Sequence, residues 1–413
     1  MNANADKNPF YALKLAQKQI SILDDQLLRR KLLHTETPCD THPIVQGRQL
    51  NAFCSNDYLG LANHPQLINS LAEGAKKYGA GSGASHLISG HSVVHDLLEK
   101  KLAQFQSKHI PDVRALFFCT GYLANLTAIT GLAALNTSGG VSIYSAALNH
   151  ASLIDGTRLA AAQTKANTHI FDHNNLSQLK HNLQSDPAEL KIIAIDGVFS
   201  MDGDIAPIKD LLAIAKEYDA LLIVDDAHGF GVLGEQGHGL LEMLNVHSSR
   251  IIYIGTLGKA AGISGAFICA NEFFIEWLVQ KGRPYIYSTA SPPAIAHALI
   301  ASLNLIEGED GKNRRRQLHK LITLWQDEMV FSSWGKISSS MPIQPVILGS
   351  NATALEAAKL LDEAGYWIPA IRPPTVPVGS SRLRITFSAN HSVDDVQKLM
   401  DTLKRVEHQI IGI

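Results

Sequence analysis

Between Pro65 and Gln280 short apolar runs recur, and helical patterns fill most of the gaps between them. The runs are Ala115–Cys119, Val141–Tyr144, His169–Phe171, Ile192–Ile195, Leu221–Val224, Ile251–Ile254 and Ala266–Cys269. Helical spacing marks Val93–Phe105, Tyr122–Ala134 and Ile208–Tyr218, with Pro207 just before the last, where a first-turn proline is tolerated. Strands that read as unbroken apolar runs are buried on both faces. With helical crossovers between them they predict a mostly parallel sheet covered by helices, an α/β fold. Such sheets hold their ligands at the carboxyl ends of the strands.

The flanks read differently. Phe10–Leu33 is expected as a helical arm that includes Arg29-Arg30-Lys31, and Gln49–Ser55 as a short strand. After about Ser291 come one long helix over Ala294–Trp325, strands at Gln344–Leu348 and Leu383–Phe387, and helices at Ala354–Ala364 and Val393–Val406. Ser392 and Asp395 have the spacing of a capping box for the last helix. The expected division is an arm and short strand over 1–60, a large ligand-binding domain over 61–290, and a smaller C-terminal α+β domain over 291–413.

Composition narrows the function. A net charge of −2 gives no support to a nucleic-acid or acidic-membrane partner. Cys39, Cys54, Cys119 and Cys269 are scattered without a Cys-x-x-Cys pair, which argues against a zinc ribbon, a disulfide framework or a secreted context. Met1–Lys7 is polar, so no signal peptide is expected. Ile251–Asn271, the stretch of transmembrane length, carries Lys259 and four glycines and reads badly as a membrane helix. A cytoplasmic protein is expected.

The chemistry starts with Lys259, in Gly255-Thr256-Leu257-Gly258-Lys259-Ala260, where only Tyr253 and Cys269 are otherwise ionisable from Ile251 to Asn271. An apolar setting disfavours the ammonium form and lowers its pKa, which suits a Schiff-base nucleophile. A snorkelling lysine with its head in water fits the same pattern. A phosphate-binding P-loop does not, because it needs glycine at Tyr253 and Ser or Thr at Ala260. Leu221–Val224 runs into Asp225-Asp226-Ala227-His228-Gly229. Asp225 could hold a cation or a protonated ring nitrogen there, and His228 could donate to a ligand oxygen; a loop-capping aspartate and a satisfied histidine fit equally. Asp225, Asp226 and His228 could also ligate a metal. No His-Glu-x-x-His is present, and the His91/His95 pair at helical spacing lacks an acidic partner that sequence identifies, so no metal site is assigned. Asp196–Asp204, which contains Ser200, follows another apolar run, and Cys119-Thr120-Gly121-Tyr122-Leu123-Ala124-Asn125 passes from strand to helix start. Backbone N–H groups at such a start suit a phosphate. The cluster Gly79–Gly83 does not fit Gly-x-Gly-x-x-Gly. Together these segments place a lysine, an aspartate, a histidine, a serine and an anion cradle at one sheet edge, a combination that suits an aromatic phosphate cofactor held through an imine.

At this point the sequence resembles the α-oxoamine synthases, fold-type I pyridoxal-phosphate-dependent transferases. The blocks that carry the likeness, in order, are Ser55-Asn56-Asp57-Tyr58-Leu59-Gly60, Asn149-His150-Ala151-Ser152-Leu153, Val198–Gly203, Val224–Gly229, Thr256–Lys259, and Ile371–Pro377 with Arg382-Leu383-Arg384. The resemblance implies pyridoxal 5'-phosphate bound through Lys259, Asp225 against the ring nitrogen, His228 and Ser200 on the phenolic oxygen, and His150 stacked on the ring. It also implies Gly121 and Tyr122 in the cofactor pocket and Thr256 on the phosphate. Ser288 and Thr289 would reach the phosphate of a neighbouring subunit, so a homodimer is implied. Arg384 would grip an amino-acid carboxylate with Asn56 nearby, and Thr375 and Arg30 (or Arg29) would line the acyl side. The last block resembles that of family members that use L-alanine and a pimeloyl thioester, which implies these substrates, the acyl group carried on coenzyme A or on a carrier protein. A related synthase using glycine or serine is the alternative. Ala84-Ser85-His86-Leu87 and His91 depart from the usual pattern of the family.

Overall fold

The computed structural model describes residues 10–136 and 138–412; the polar stretch Met1–Lys7 lies outside the described residues. Every apolar run of the central region is a strand: β1 (Val113–Phe118), β2 (Val141–Ala146), β3 (Asn167–Phe171), β4 (Leu190–Asp196), β5 (Ala220–Asp225), β6 (Ile251–Thr256) and β7 (Ala266–Asn271). They form one sheet in the order β1-β7-β6-β5-β4-β2-β3. Strands β6, β5, β4, β2 and β3 are mutually parallel, and β7 runs antiparallel between β6 and β1. Residue parity splits the sheet between two cores. Tyr144, Ile193, Leu222, Val224 and Tyr253 pack on one face, and Ile143, Ile192, Ile223, Ile252 and Ile254 on the other. Both faces are dry, which is why the strands read as continuous apolar runs and not as alternation.

The register matters for function. Asp196 pairs with Asp225, Asp225 with Ile254, and both Thr256 and Phe118 sit opposite Ala266. The carboxyl ends of β1, β4, β5 and β6 therefore finish at one edge. Asp225 shares the face of Ile223, the face that helix Gly121–Ala133 covers with Ala124, Ala128 and Ile129.

The C-terminal part holds an antiparallel sheet of Gly335–Lys336, Ile343–Gly349, Ser381–Thr386 and Ala370–Ile371, in that order, with helices Asn351–Glu363 and Val393–Ile411. The Ser392/Asp395 capping box is present. Three expectations need correction. The segment Ala294–Trp325 is two helices, Pro293–Glu307 and Glu309–Glu328, because Gly308 adopts an extended conformation between them. The arm helix is only Tyr11–Asp25; Leu27 turns left-handed (φ 57°), so Arg29 and Arg30 lie beyond it. Gln49–Ser55 is not one strand: Arg48–Gln49 pairs with Ile44–Val45, whereas Asn51–Ala52 pairs in parallel with Tyr366–Trp367 of the C-terminal part. Among the described residues no helix is long and apolar enough to cross a membrane.

Candidate active site

A cavity of about 180 Å³ opens at the shared strand edge, lined by Gly121, Tyr122, Asn125, His150, Ser152, Asp196, Ser200, Asp225, Ala227, His228, Thr256 and Lys259. Eight side chains or backbones singled out from sequence meet here. Each comes from the end of a strand, the turn just beyond it, or the start of the helix that follows.

Lys259 follows β6, and its Nζ lies 2.9 Å from His228 Nε2. Burial is the main cause that lowers its pKa to about 8, against the opposing pull of Asp225 and Asp196. The part-buried lysine thus turns its head into the cavity toward His228 and not out to bulk water, against the snorkelling alternative. His228 is itself buried, and its Nδ1 lies 2.7 Å from the Tyr58 hydroxyl. That hydroxyl donates to Asn56 Oδ1 at 3.1 Å, so it accepts from His228 Nδ1–H and leaves Nε2 to accept from Lys259. Burial, then the charge of Lys259, holds His228 well below the ordinary histidine range.

Asp225, at the end of β5, is buried with both oxygens engaged. Oδ1 accepts the Ala227 N–H at 3.0 Å, and Oδ2 accepts Asn125 Nδ2 at 2.6 Å. Asn125 also donates to Ser152 Oγ at 2.8 Å, and Ser152 Oγ meets His150 Nδ1 at 2.7 Å. Asp225 and His150 are therefore linked through two neutral side chains. His150 caps helix Ala151–Thr164 by accepting from Ser152 N, and its own N–H donates to Asp196 Oδ2 at 2.8 Å. Burial, then the charge of Asp225 beside it, pushes the Asp196 carboxyl well above its ordinary value.

Gly121 begins helix Gly121–Ala133, so its N–H and that of Tyr122 have no intrahelical acceptor. A Cβ at Gly121 would meet nothing nearer than Thr256 Oγ1 at 3.9 Å. This helix start and the Thr256 hydroxyl frame a hollow suited to an anion.

Arg384 comes from the fully buried strand Ser381–Thr386. Its Nε donates to the Ser200 carbonyl at 2.6 Å, while Nη1 and Nη2 each reach Asn56 Oδ1 only at 3.3 Å. The neighbouring Arg382 is buried too and pairs with Asp202 at 2.6 Å. Ser200 also lines a second cavity of about 420 Å³, whose walls include Thr375, Phe199, Leu148 and Arg382. Arg30 Nη2 donates to Thr375 Oγ1 at 3.4 Å, whereas Arg29 is paired with Asp24.

The structure does not unite everything. Asp226 points to the opposite face from Asp225, where it accepts from Tyr253 Oη at 2.8 Å and Leu240 N at 2.6 Å. Asp225, Asp226 and His228 therefore do not converge on a metal. Ser288 and Thr289 are absent from the Lys259 cavity and line a separate hollow with His86 and Tyr285. Sequence reasoning did not single out Tyr58, Asn125, Ser152 or Asp196, although each lies inside a segment it quoted.

The aminotransferase class I and II family model matches residues 48–403. Two curated relatives, both named 8-amino-7-oxononanoate synthase, align over nearly the whole chain. The one from Janthinobacterium sp. (strain Marseille) is 50% identical over 393 residues, covering 95% of this chain and 98% of its own. The one from Bordetella petrii is 52% identical over 387 residues, covering 94% and 96%. A solved structure of SPT with a pyridoxal-phosphate (PLP) internal aldimine shares the fold with a TM-score of 0.85 at 26% identity, covering 98% of this chain and 100% of its own.

Proposed function

The chain belongs to the aminotransferase class I and II family, and we propose that within it the protein condenses L-alanine with a pimeloyl thioester. The products are 8-amino-7-oxononanoate, carbon dioxide and the free thiol, a step of biotin biosynthesis. It is a pyridoxal-phosphate-dependent acyltransferase of the fold-type I class. The name shared by relatives at about half identity favours this reaction over a glycine- or serine-using synthase.

The residues fit the cofactor. Its aldehyde calls for an amine that can lose its proton, and Lys259 is one. Its ring nitrogen calls for a buried anion, and Asp225 is one whose position two N–H donors fix. Its phosphate calls for free backbone donors, supplied at Gly121 and Tyr122 beside Thr256. When bound, PLP supplies an electron sink that stabilises negative charge at the amino-acid Cα.

The chain's own groups do the rest. With Lys259 held at about 8, roughly one amine in ten is neutral at neutral pH, enough for it to act as a general base toward the Cα proton. His228 Nε2 orients that amine by accepting from it, and the Tyr58–Asn56 pair fixes the tautomer that makes this possible. Asn125 holds the Asp225 carboxylate in place. Arg384, anchored through Nε and only loosely held at its two terminal nitrogens, presents a fork to the amino-acid carboxylate. His150 lines the cavity from the N-cap of helix Ala151–Thr164, where it would lie against the cofactor ring. Thr375, which accepts from Arg30, lines the second cavity with Phe199 and Leu148, and the acyl chain would lie there.

The acyl carrier (coenzyme A or a carrier protein), a homodimer in which Ser288 and Thr289 serve the neighbouring site, the division at about residues 60 and 290, and a cytoplasmic location complete the proposal. The Lys259 amine in the cavity, 2.9 Å from His228, is the observation that carries it. The test is a mass-spectrometric product assay with L-alanine, glycine or serine and pimeloyl-CoA. Product from L-alanine that disappears in Lys259→Ala is expected. Turnover with glycine or serine alone would overturn the assignment.

A further inference from the structure

One cluster of chemically capable side chains lies outside the Lys259 cavity. His86 lies in the π-helical turn His86–Gly90, and His91 and His95 flank the start of helix Val93–Gln106. Each of the three offers a ring nitrogen, and these atoms all lie within 4.8 Å of one another; among the described residues no other group of three His, Cys, Asp or Glu side chains does so. His86 Nδ1 and His91 Nδ1 are 2.9 Å apart. Three imidazoles around one tetrahedral ion at about 2.0–2.1 Å place their nitrogens about 3.4 Å apart, so from separations of at most 4.8 Å the cluster needs adjustments of no more than about 1.4 Å.

The surroundings are those of a ligand set. A metal-bound histidine directs its other nitrogen to a carboxylate or a carbonyl. His95 Nε2 lies 2.9 Å from the Ser291 carbonyl, where it donates. His91 Nε2 faces Glu99 Oε2 at 3.9 Å, and the other Glu99 oxygen is fixed by the Phe117 N–H at 2.9 Å. Glu99 is the acidic partner that the sequence could not identify; it lies one helical turn beyond His95. His86 is stacked on Tyr285 at 4.7 Å between centroids. His91 is exposed and leaves a way in. His95 Nδ1 also accepts from Ser92 N at 3.0 Å, a contact that ligation would have to loosen.

We propose that His86, His91 and His95 bind one divalent ion of the zinc class, with Glu99 and the Ser291 carbonyl orienting two of the rings. The fourth position is left to water, since no further ligand side chain joins the group. The ion would tie the turn at His86 to helix Val93–Gln106 and, through Ser291, to the start of helix Pro293–Glu307. The site lies outside the Lys259 cavity, and His86 also lines the hollow of Ser288 and Thr289.

The test uses untagged, PLP-loaded protein stripped with chelator and titrated with Zn²⁺ against a competing chromophoric chelator. One tight equivalent per chain is expected. His86→Gln and His91→Gln should each weaken it at least about 100-fold, and Glu99→Gln about 10–100-fold. X-ray absorption of the Zn²⁺-loaded wild-type protein needs no variant and should show three imidazole ligands. Absence of a tight equivalent, binding that survives both histidine substitutions, or a shell with fewer than three imidazoles would overturn the proposal.

Discussion

Lys259 stores a measurable cost in the cofactor-free protein. Its ammonium is worth less inside the cavity than in water, and the fall from 10.5 to about 8 corresponds to about 3 kcal/mol. The sign follows from proton counting. Below about 8 both folded and unfolded chains carry the proton, so the full cost falls on the fold. Between about 8 and 10.5 the folded chain has released its proton while the unfolded chain keeps it, so stability rises with pH. Above 10.5 both are neutral and the cost is gone. Lys259→Met fills the space with a neutral chain but leaves His228 Nε2 without its donor, a loss of about 1 kcal/mol. The cofactor-free variant should therefore be more stable than wild type by about 2 kcal/mol at pH 7, and this advantage should vanish or reverse near pH 10.5. Denaturant unfolding of both proteins at the two pH values measures it, and groups common to both cancel in the difference. A gap that does not change with pH would refute the reasoning, because the amine would then be solvated in the folded protein.

The remaining outcomes concern the site. Asp225→Asn should bring its amide N–H₂ against one of the Asn125 and Ala227 donors and lower turnover at least about 100-fold while PLP is retained, scored by product formation against bound cofactor. Asn125→Ala should leave Asp225 with a single protein donor and cost about tenfold in kcat, read from steady-state kinetics. Arg384→Lys removes the fork, so KM for L-alanine should rise about 10–100-fold with a smaller change in kcat, and equal loss in both would contradict carboxylate binding. Thr375→Val should change KM for the acyl substrate and leave KM for L-alanine unaltered in initial-rate measurements.

What the sequence disclosed and what it withheld follow from one physical difference. The groups at the strand ends were legible because burial on both faces writes each strand as an apolar run, and the first polar residues after it must sit at the sheet edge. Asp225, Lys259, Ser200 and Gly121 are of this kind. The partners that tune them were not legible, because each pairing depends on how distant segments dock. Asn125 reaches Asp225 across 100 residues and Tyr58 reaches His228 across 170. Nothing local distinguishes an asparagine on a helix face from one that holds a carboxylate. The break at Gly308 was missed for the opposite reason: apolar spacing continues on both sides of it, and only the backbone shows the interruption. The histidine cluster combines both cases. His91 and His95 could be read from spacing, but His86 joins them only through the tight turn that Gly90 permits, where a Cβ would lie 2.1 Å from the Ala84 carbonyl oxygen. In this chain, then, helical or strand period locates the reactive groups, while their protonation states and ligand geometry are set by contacts that exist only once the sheet, its helices and the C-terminal strand Ser381–Thr386 have closed on one another.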